Sequence, residues 1–179
     1  MLRILQDNLV AWDTHLCLKI FNLNGRRLFD RLMFWFSRIG DGYVYGAIGL
    51  VLLLFDPKAA MQLVPAGLIA FAIELSVHLL IKKTTRRSRP FLKIASISSL
   101  MAPPDQFSFP SGHTAAAFLM ATLFGTFYPI LAIPFFLYAT LVGFSRIYNG
   151  LHFPTDVLAG ILLGFLSAKI GIAIMGGLL

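Results

Sequence analysis

Three short clusters hold the residues of this chain best suited to chemistry on an anion. Lys82 is followed after six residues by Arg89-Pro90, then comes Pro110-Ser111-Gly112-His113, and then Ser145-Arg146 with His152 and Asp156, spaced S-R-x5-H-x3-D. Lys82, Arg89 and Arg146 supply three cations, and the planar arginine fork suits phosphate oxygens. Ser111 and Gly112 stand where a loop should enter a helix, so unpaired backbone N–H groups and the helix dipole there favour an anion. His113 and His152 are the two groups able to exchange protons near neutral pH. Asp156 lies four residues beyond His152, on the same face if a helix begins near Pro154. A carboxylate bonded to one ring nitrogen would fix the tautomer and leave the other nitrogen a better nucleophile. The clusters include no set of carboxylates or cysteines at metal-ligand spacing. Charge stabilisation by Arg and Lys, with no metal or other cofactor, is the expectation.

The elements that must position these residues are membrane helices. The chain of 179 residues is 58% hydrophobic and only 13% charged, about half the usual charged share. A soluble core of that composition would leave too little polar surface to cover it. Length predicts one domain, 1–179, with interfacial helices over 1–40 and a transmembrane core over 41–179. Leu2, Leu5, Leu9, Trp12, Leu16 and Ile20 recur at helical spacing, with Arg3, Asp7, Asn8, Thr14 and Lys19 mostly elsewhere on the wheel, a pattern for a helix lying in the interface. Asn22 to Gly25 reads as a turn and 28–38 as a second short amphipathic helix. Spans follow at about 43–55, 59–81, 111–128, 131–147 and 154–178, with one long polar loop at 82–110. The expected fold is an all-α membrane bundle of five to six spans. Threading the chain through these spans puts all three clusters on one membrane face, together with the N-terminal helices.

The net charge of +7 is concentrated in 1–38 and 82–93, flanking apolar runs. That placement points to lipid headgroups or a phosphate substrate as partners, and not to nucleic acid. Cys17 is the only cysteine, so no intrachain disulfide can form. Asp7 and Asp13 interrupt what a signal peptide would need as an apolar core. Glu74, His78 and Lys82 should share one helix face, where Glu74 and His78 can bond each other or a neighbouring helix. Lys83, Arg86, Arg87 and Lys93 read as headgroup contacts or as a solvated basic loop.

Taken singly, each cluster has an ordinary explanation: a turn with an N-cap, interfacial anchors, a structural ion pair. Eleven specified positions in one order and on one face are a different matter. K-x6-RP, PSGH and SR-x5-H-x3-D together resemble the three-part signature of the type 2 phosphatidic acid phosphatase superfamily, which includes membrane lipid phosphatases, acid phosphatases and vanadium haloperoxidases. The resemblance implies that His152 attacks phosphorus to form a phosphohistidine and that Asp156 orients it. It implies that His113 protonates the leaving group and later activates water, while Lys82, Arg89, Ser111, Gly112 and Arg146 hold the phosphoryl oxygens. It further implies hydrolysis of a lipid phosphomonoester or diphosphate, such as phosphatidylglycerophosphate, undecaprenyl diphosphate, phosphatidate or lipid A phosphate. The implied setting is a bacterial cytoplasmic membrane with the site facing the periplasm, although the Lys and Arg count alone favours the opposite orientation. Two rivals are a vanadium-dependent haloperoxidase-like enzyme, against which the spans argue, and a non-catalytic lipid-phosphate binding or transport protein, which would need no nucleophile.

Overall fold

The computed structural model describes residues 2–103 and 105–177, and among these the chain is helical with no strand. The elements are α1 Leu2–Phe21, α2 Arg27–Ile39, α3 Gly42–Phe55, α4 Pro57–Thr85, the single turn α5 Pro90–Lys93, α6 Gly112–Phe127, α7 Ala132–Tyr148 behind a 3-10 turn at Pro129–Leu131, and α8 Pro154–Gly176. Each expected helix is present with ends shifted by a few residues. Position 178, where the last span was expected to finish, lies outside the described residues, as do the side chains of Leu2, Arg3 and Leu5.

Prolines set several boundaries. Pro57, Pro90 and Pro154 each occupy the first position of a helix, where the missing N–H costs nothing. Among the described residues three helices are long and apolar enough to cross a bilayer: α4, α7 with its preceding 3-10 turn, and α8. Joined across their break, α2 and α3 would make a fourth, bent by 64° at Gly40-Asp41. The broad outer surface is apolar, with Phe55, Ile130 and Ile133 more than four-fifths exposed, as lipid-facing positions should be.

The centre of the bundle is α6, in which every residue from Ala117 to Phe124 is buried. It packs on α8, α7 and α4. Small residues make the α6–α8 approach possible: a Cβ at Gly160 would stand 2.5 Å from the Ser111 carbonyl oxygen. On α4 one face is buried, through Ala60, Leu63, Ala66, Ala70, Glu74, His78 and Lys82. That stripe is apolar and small at its start and titratable towards its end, so the buried face of α4 carries its titratable groups to one end of the bundle. At the opposite end Tyr128 donates to Asp56 at 2.9 Å, joining the α3–α4 and α6–α7 corners.

The N-terminal helices pack on the bundle, α2 along α7 and α1 against α7 and α8. Cys17, Ile97, Ile147, Phe153 and Val157 form one buried cluster that seats α1 beneath the turn before α8. Tyr148 of α7 donates to Asp30 of α2, and Asn24 in the α1–α2 turn donates to the Tyr148 carbonyl at 3.0 Å.

Candidate active site

The site is assembled at the end of the bundle where α4 finishes and α6 and α8 begin. Arg86 closes α4 in the left-handed conformation, φ 46°, turning the chain back so that Arg87 and Arg89 enter the protein and do not leave it. Arg89 is fully buried. Its Nη1 donates to the Leu151 carbonyl at 2.9 Å and lies 3.2 Å from His152 Nε2. Its other nitrogens donate to Asp105, Nη2 to Oδ1 at 2.9 Å and Nε to the carbonyl at 3.0 Å. Lys82, one turn beyond His78 on α4, donates to the second oxygen of the same carboxylate at 2.6 Å. Asp105 therefore bridges two of the three cations expected to hold phosphate. Burial alone would raise its carboxyl, but the bonds and charges of Lys82 and Arg89 hold it below the usual range.

Arg146, near the end of α7, is almost wholly buried. Its Nη1 donates to Ser37 of α2 at 2.5 Å, while Nε and Nη2 have no hydrogen-bond partner among the described residues. A buried guanidinium with two unpartnered nitrogens is costly unless an anion meets it.

The tautomer of His152 follows from its partners. Nδ1 lies 2.7 Å from the Ser108 carbonyl oxygen, which can only accept, so Nδ1 carries the proton. Nε2 faces Arg89, which can only donate, so Nε2 keeps its lone pair. Burial, then the charges of Arg146, Arg89 and Lys82, hold the imidazole well below its ordinary value. The ring is thus a neutral base with a lone pair turned towards the cations, the requirement for a nucleophile on phosphorus.

Two expectations are corrected here. Asp156 does not hydrogen-bond His152: its Oδ2 is 3.7 Å from Nδ1. That oxygen accepts the Phe153 N–H at 2.8 Å and Oδ1 accepts Arg87 at 2.6 Å, so both are committed by the geometry of a helix start. Nor is the Ser111 N–H free, since it donates to the Asp156 carbonyl at 3.0 Å, and its hydroxyl shares a hydrogen bond with Thr114 at 2.8 Å. The unpaired N–H groups begin at Gly112, at the N-terminus of α6. Gly112 is required by packing, because a Cβ there would lie 2.9 Å from His78 Cε1.

His113 takes a partner that spacing could not reveal: its Nε2 is 2.7 Å from Oδ1 of Asp41, at the break between α2 and α3, 72 residues away. Asp41, Asp105, Ser108 and Arg87 are thus added to the site. Ser108 acts through a backbone carbonyl, which leaves no side-chain signal. Arg87 had a visible neighbour in Arg89, but its inward ion pairs with Asp13 and Asp156 had no signal. Glu74 and His78 continue the line from Lys82 into the bundle, with 3.4 Å between Lys82 Nζ and His78 Nε2 and 3.9 Å between His78 and Glu74. Among the described residues no three His, Cys, Asp or Glu side chains gather as a metal-holding group.

Known proteins resemble this chain in sequence and fold. An undecaprenyl-diphosphatase of Sulfolobus acidocaldarius is 32% identical over 162 residues, 85% of this chain and 75% of that protein. A decaprenylphosphoryl-5-phosphoribose phosphatase of Mycobacterium tuberculosis is 34% identical over 136 residues, 74% of this chain and 68% of the relative. The crystal structure of Aquifex aeolicus LpxE superposes with a TM-score of 0.79 at 30% identity, covering 89% of this chain and 93% of that one. A PAP2-type phosphatidylglycerolphosphate phosphatase from Bacillus subtilis shares the fold, with a TM-score of 0.76 at 22% identity over 95% of this chain and 87% of that one. The PAP2 superfamily profile matches residues 62–178, which contain all three clusters and most of the bundle that positions them, so the chain belongs to the PAP2 superfamily.

Proposed function

We propose that this chain is a membrane lipid phosphatase acting through a phosphohistidine at His152. The observation that carries this reading is the pairing of a neutral, oriented His152 with a buried Arg146 whose Nε and Nη2 have no partner among the described residues. Phosphoryl oxygens would satisfy those donors together with Lys82, Arg89 and the Gly112 N–H, spreading the charge of an in-line transfer. His152 Nε2 bonds to phosphorus as the bond to the leaving oxygen breaks, and His113 protonates that oxygen. His113 then takes a proton from water, whose oxygen displaces Nε2 and releases phosphate. Asp156 acts as a charge behind the ring instead of a bonded orienting group. Ser111 shapes the start of α6 and holds no phosphoryl oxygen through its own N–H.

The lipid's hydrocarbon chain has a place beside this site. A groove of about 530 Å³ runs between α3 and α4 and against α6, lined by Gly42, Gly46, Leu53, Leu63, Phe71 and Leu123. Its Gly42 end adjoins Asp41, the partner of His113. Because two of the relatives act by name on polyprenyl-linked phosphates, undecaprenyl diphosphate heads the substrate panel, followed by phosphatidylglycerophosphate, phosphatidate and lipid A phosphate. We place five spans at α3, α4, α6, α7 and α8, with α1 and α2 in the interface and the site facing the periplasm of a bacterial inner membrane. At 16 residues α6 is only about 24 Å long, but neighbouring helices surround it.

Phosphate release from that panel, in chelator and detergent, should be lost by at least about 10³-fold in His152→Ala while the protein stays folded. Release unaffected by the substitution would defeat the nucleophile assignment. A large metal-restorable loss in chelator would defeat the metal-free chemistry. Folded protein releasing nothing from any lipid would favour the binding-protein alternative. Single cysteines at Lys58 and Ser96 should label from opposite sides; labelling of position 96 only after the inner membrane is permeabilised would reverse the orientation.

A further inference from the structure

We propose that Asp13 and Arg87, bridged by Thr155, are positioning residues that hold the Asp156 carboxylate as a fixed counter-charge behind His152. This rests on the phosphatase reading above. Asp13 lies on α1, outside the 62–178 stretch that matches the family profile, so its place here comes from the tertiary structure of this chain.

The contacts are specific. Asp13 is 1% exposed. Its Oδ1 accepts the Thr155 N–H at 2.9 Å and its Oδ2 accepts the Thr155 hydroxyl at 2.6 Å. The Arg87 guanidinium ion-pairs with Asp13 on one side and with Asp156 Oδ1 at 2.6 Å on the other. Arg87 Nη1 also donates to Thr155 Oγ1 at 2.7 Å, and the guanidinium carbon stands 4.2 Å over the Phe153 ring. A solvated basic loop residue would make none of these contacts.

Helix chemistry explains why an acid from α1 is needed. The residue capping α8 is Phe153, whose side chain cannot accept a hydrogen bond, so the free N–H groups of the first turn need acceptors from elsewhere. Asp156 reaches back to the Phe153 N–H, and Asp13 takes the Thr155 N–H from 142 residues away. The positive end of the α8 dipole favours both carboxylates.

Charge explains what the arrangement does for the reaction. Asp13, Arg87 and Asp156 sum to one net negative charge, on the Nδ1 side of His152 and 3.7 Å from it through Asp156. Arg89 stands on the Nε2 side. When Nε2 bonds to phosphorus, the leaving oxygen takes the electron pair of the broken bond and the ring becomes a phosphorylated cation. A preorganised negative charge on the far side of the ring is worth more at that moment than before it. Buried ion pairs are a weak source of stability by themselves, so stability alone does not account for three charges in this place. With Oδ1 on Arg87 and Oδ2 on Phe153, the carboxylate also cannot turn to compete with the Ser108 carbonyl for the ring proton.

The test uses the full-length protein in detergent with the panel lipid that the wild type turns over fastest. Asp13→Asn and Arg87→Gln should each lower kcat about tenfold or more with KM within about twofold of wild type. Arg87→Lys should recover much of the rate, and the double variant should be no worse than the worse single one. Unchanged kcat in folded variants, with only the melting temperature lowered, would show a structural clamp and overturn the proposal. A rise in KM at constant kcat would overturn it too, by making Arg87 a substrate contact. If Asp13→Asn does not fold, Thr155→Val removes only the bridging hydroxyl, and unchanged kcat there has the same consequence. Wild-type turnover and its loss in His152→Ala report on the phosphatase reading separately. Should the wild type turn over no lipid, the imidazole ¹⁵N signals of His152 still decide: their protonation midpoint should fall in Asp13→Asn, and an unchanged titration would overturn the proposal.

Discussion

His152 and Asp156 are spaced as a pair that ought to share a hydrogen bond, yet the ring proton goes to the Ser108 carbonyl at 2.7 Å. This changes what Asp156→Asn should do. Were Asp156 the tautomer-setting partner, an amide there would put the wrong nitrogen forward and cost several orders of magnitude. With Ser108 in that role the tautomer survives, and the loss should be about 10–100-fold, the scale of groups that act through another. A loss matching that of His152→Ala would restore the direct bond as the working geometry. Asp105 supports a prediction of opposite sign. Its carboxylate occupies both Lys82 and Arg89, so an incoming phosphoryl group must displace it. Asp105→Asn should therefore strengthen inhibition by vanadate, a mimic of the transferring group, by about tenfold, or roughly 1.4 kcal/mol. Weaker inhibition would mean that the carboxylate arranges the cations instead of competing for them.

At the scale of elements, each helix brings its functional group to one end of the bundle. α4 delivers Lys82 from the end of a buried stripe, α6 and α8 present their N-termini, and the α2–α3 break supplies Asp41. The glycines of α3 leave its α4-facing side open, and nothing stands within 4 Å of a Cβ at Gly46. Gly46→Trp should fill the groove and raise KM for a long-chain lipid phosphate about tenfold or more, while hydrolysis of a short water-soluble phosphate ester is little changed. An equal loss on both substrates would show that the indole disturbs the site and that the groove does not select the chain.

For the whole molecule, assembling cations around a buried imidazole has a stability cost that depends on pH. The folded-state pKa of His152 lies well below 6.5, the ordinary value it regains on unfolding. Below about pH 6.5 the unfolded chain therefore binds more protons than the folded one, and stability falls as pH falls. Melting temperatures in detergent at about pH 7.5 and about pH 5.5 should show a drop that His152→Gln reduces. An equal drop in both proteins would assign it to other groups. The three clusters and the apolar runs were legible because each is local: a helix repeats every 3.6 residues, and the signature residues lie in loops or in the first or last turns of helices.

What the chain order alone established was therefore the helical membrane architecture, the identities in the three clusters and their convergence on one face. The partners of those residues were settled only in three dimensions. Asp41 meets His113 across 72 residues, Asp13 meets Thr155 across 142, and Ser108 meets His152 through a carbonyl that every residue possesses. Such contacts follow from how helices stack, and stacking is set by many weak packing contacts spread over the bundle instead of by any one spacing.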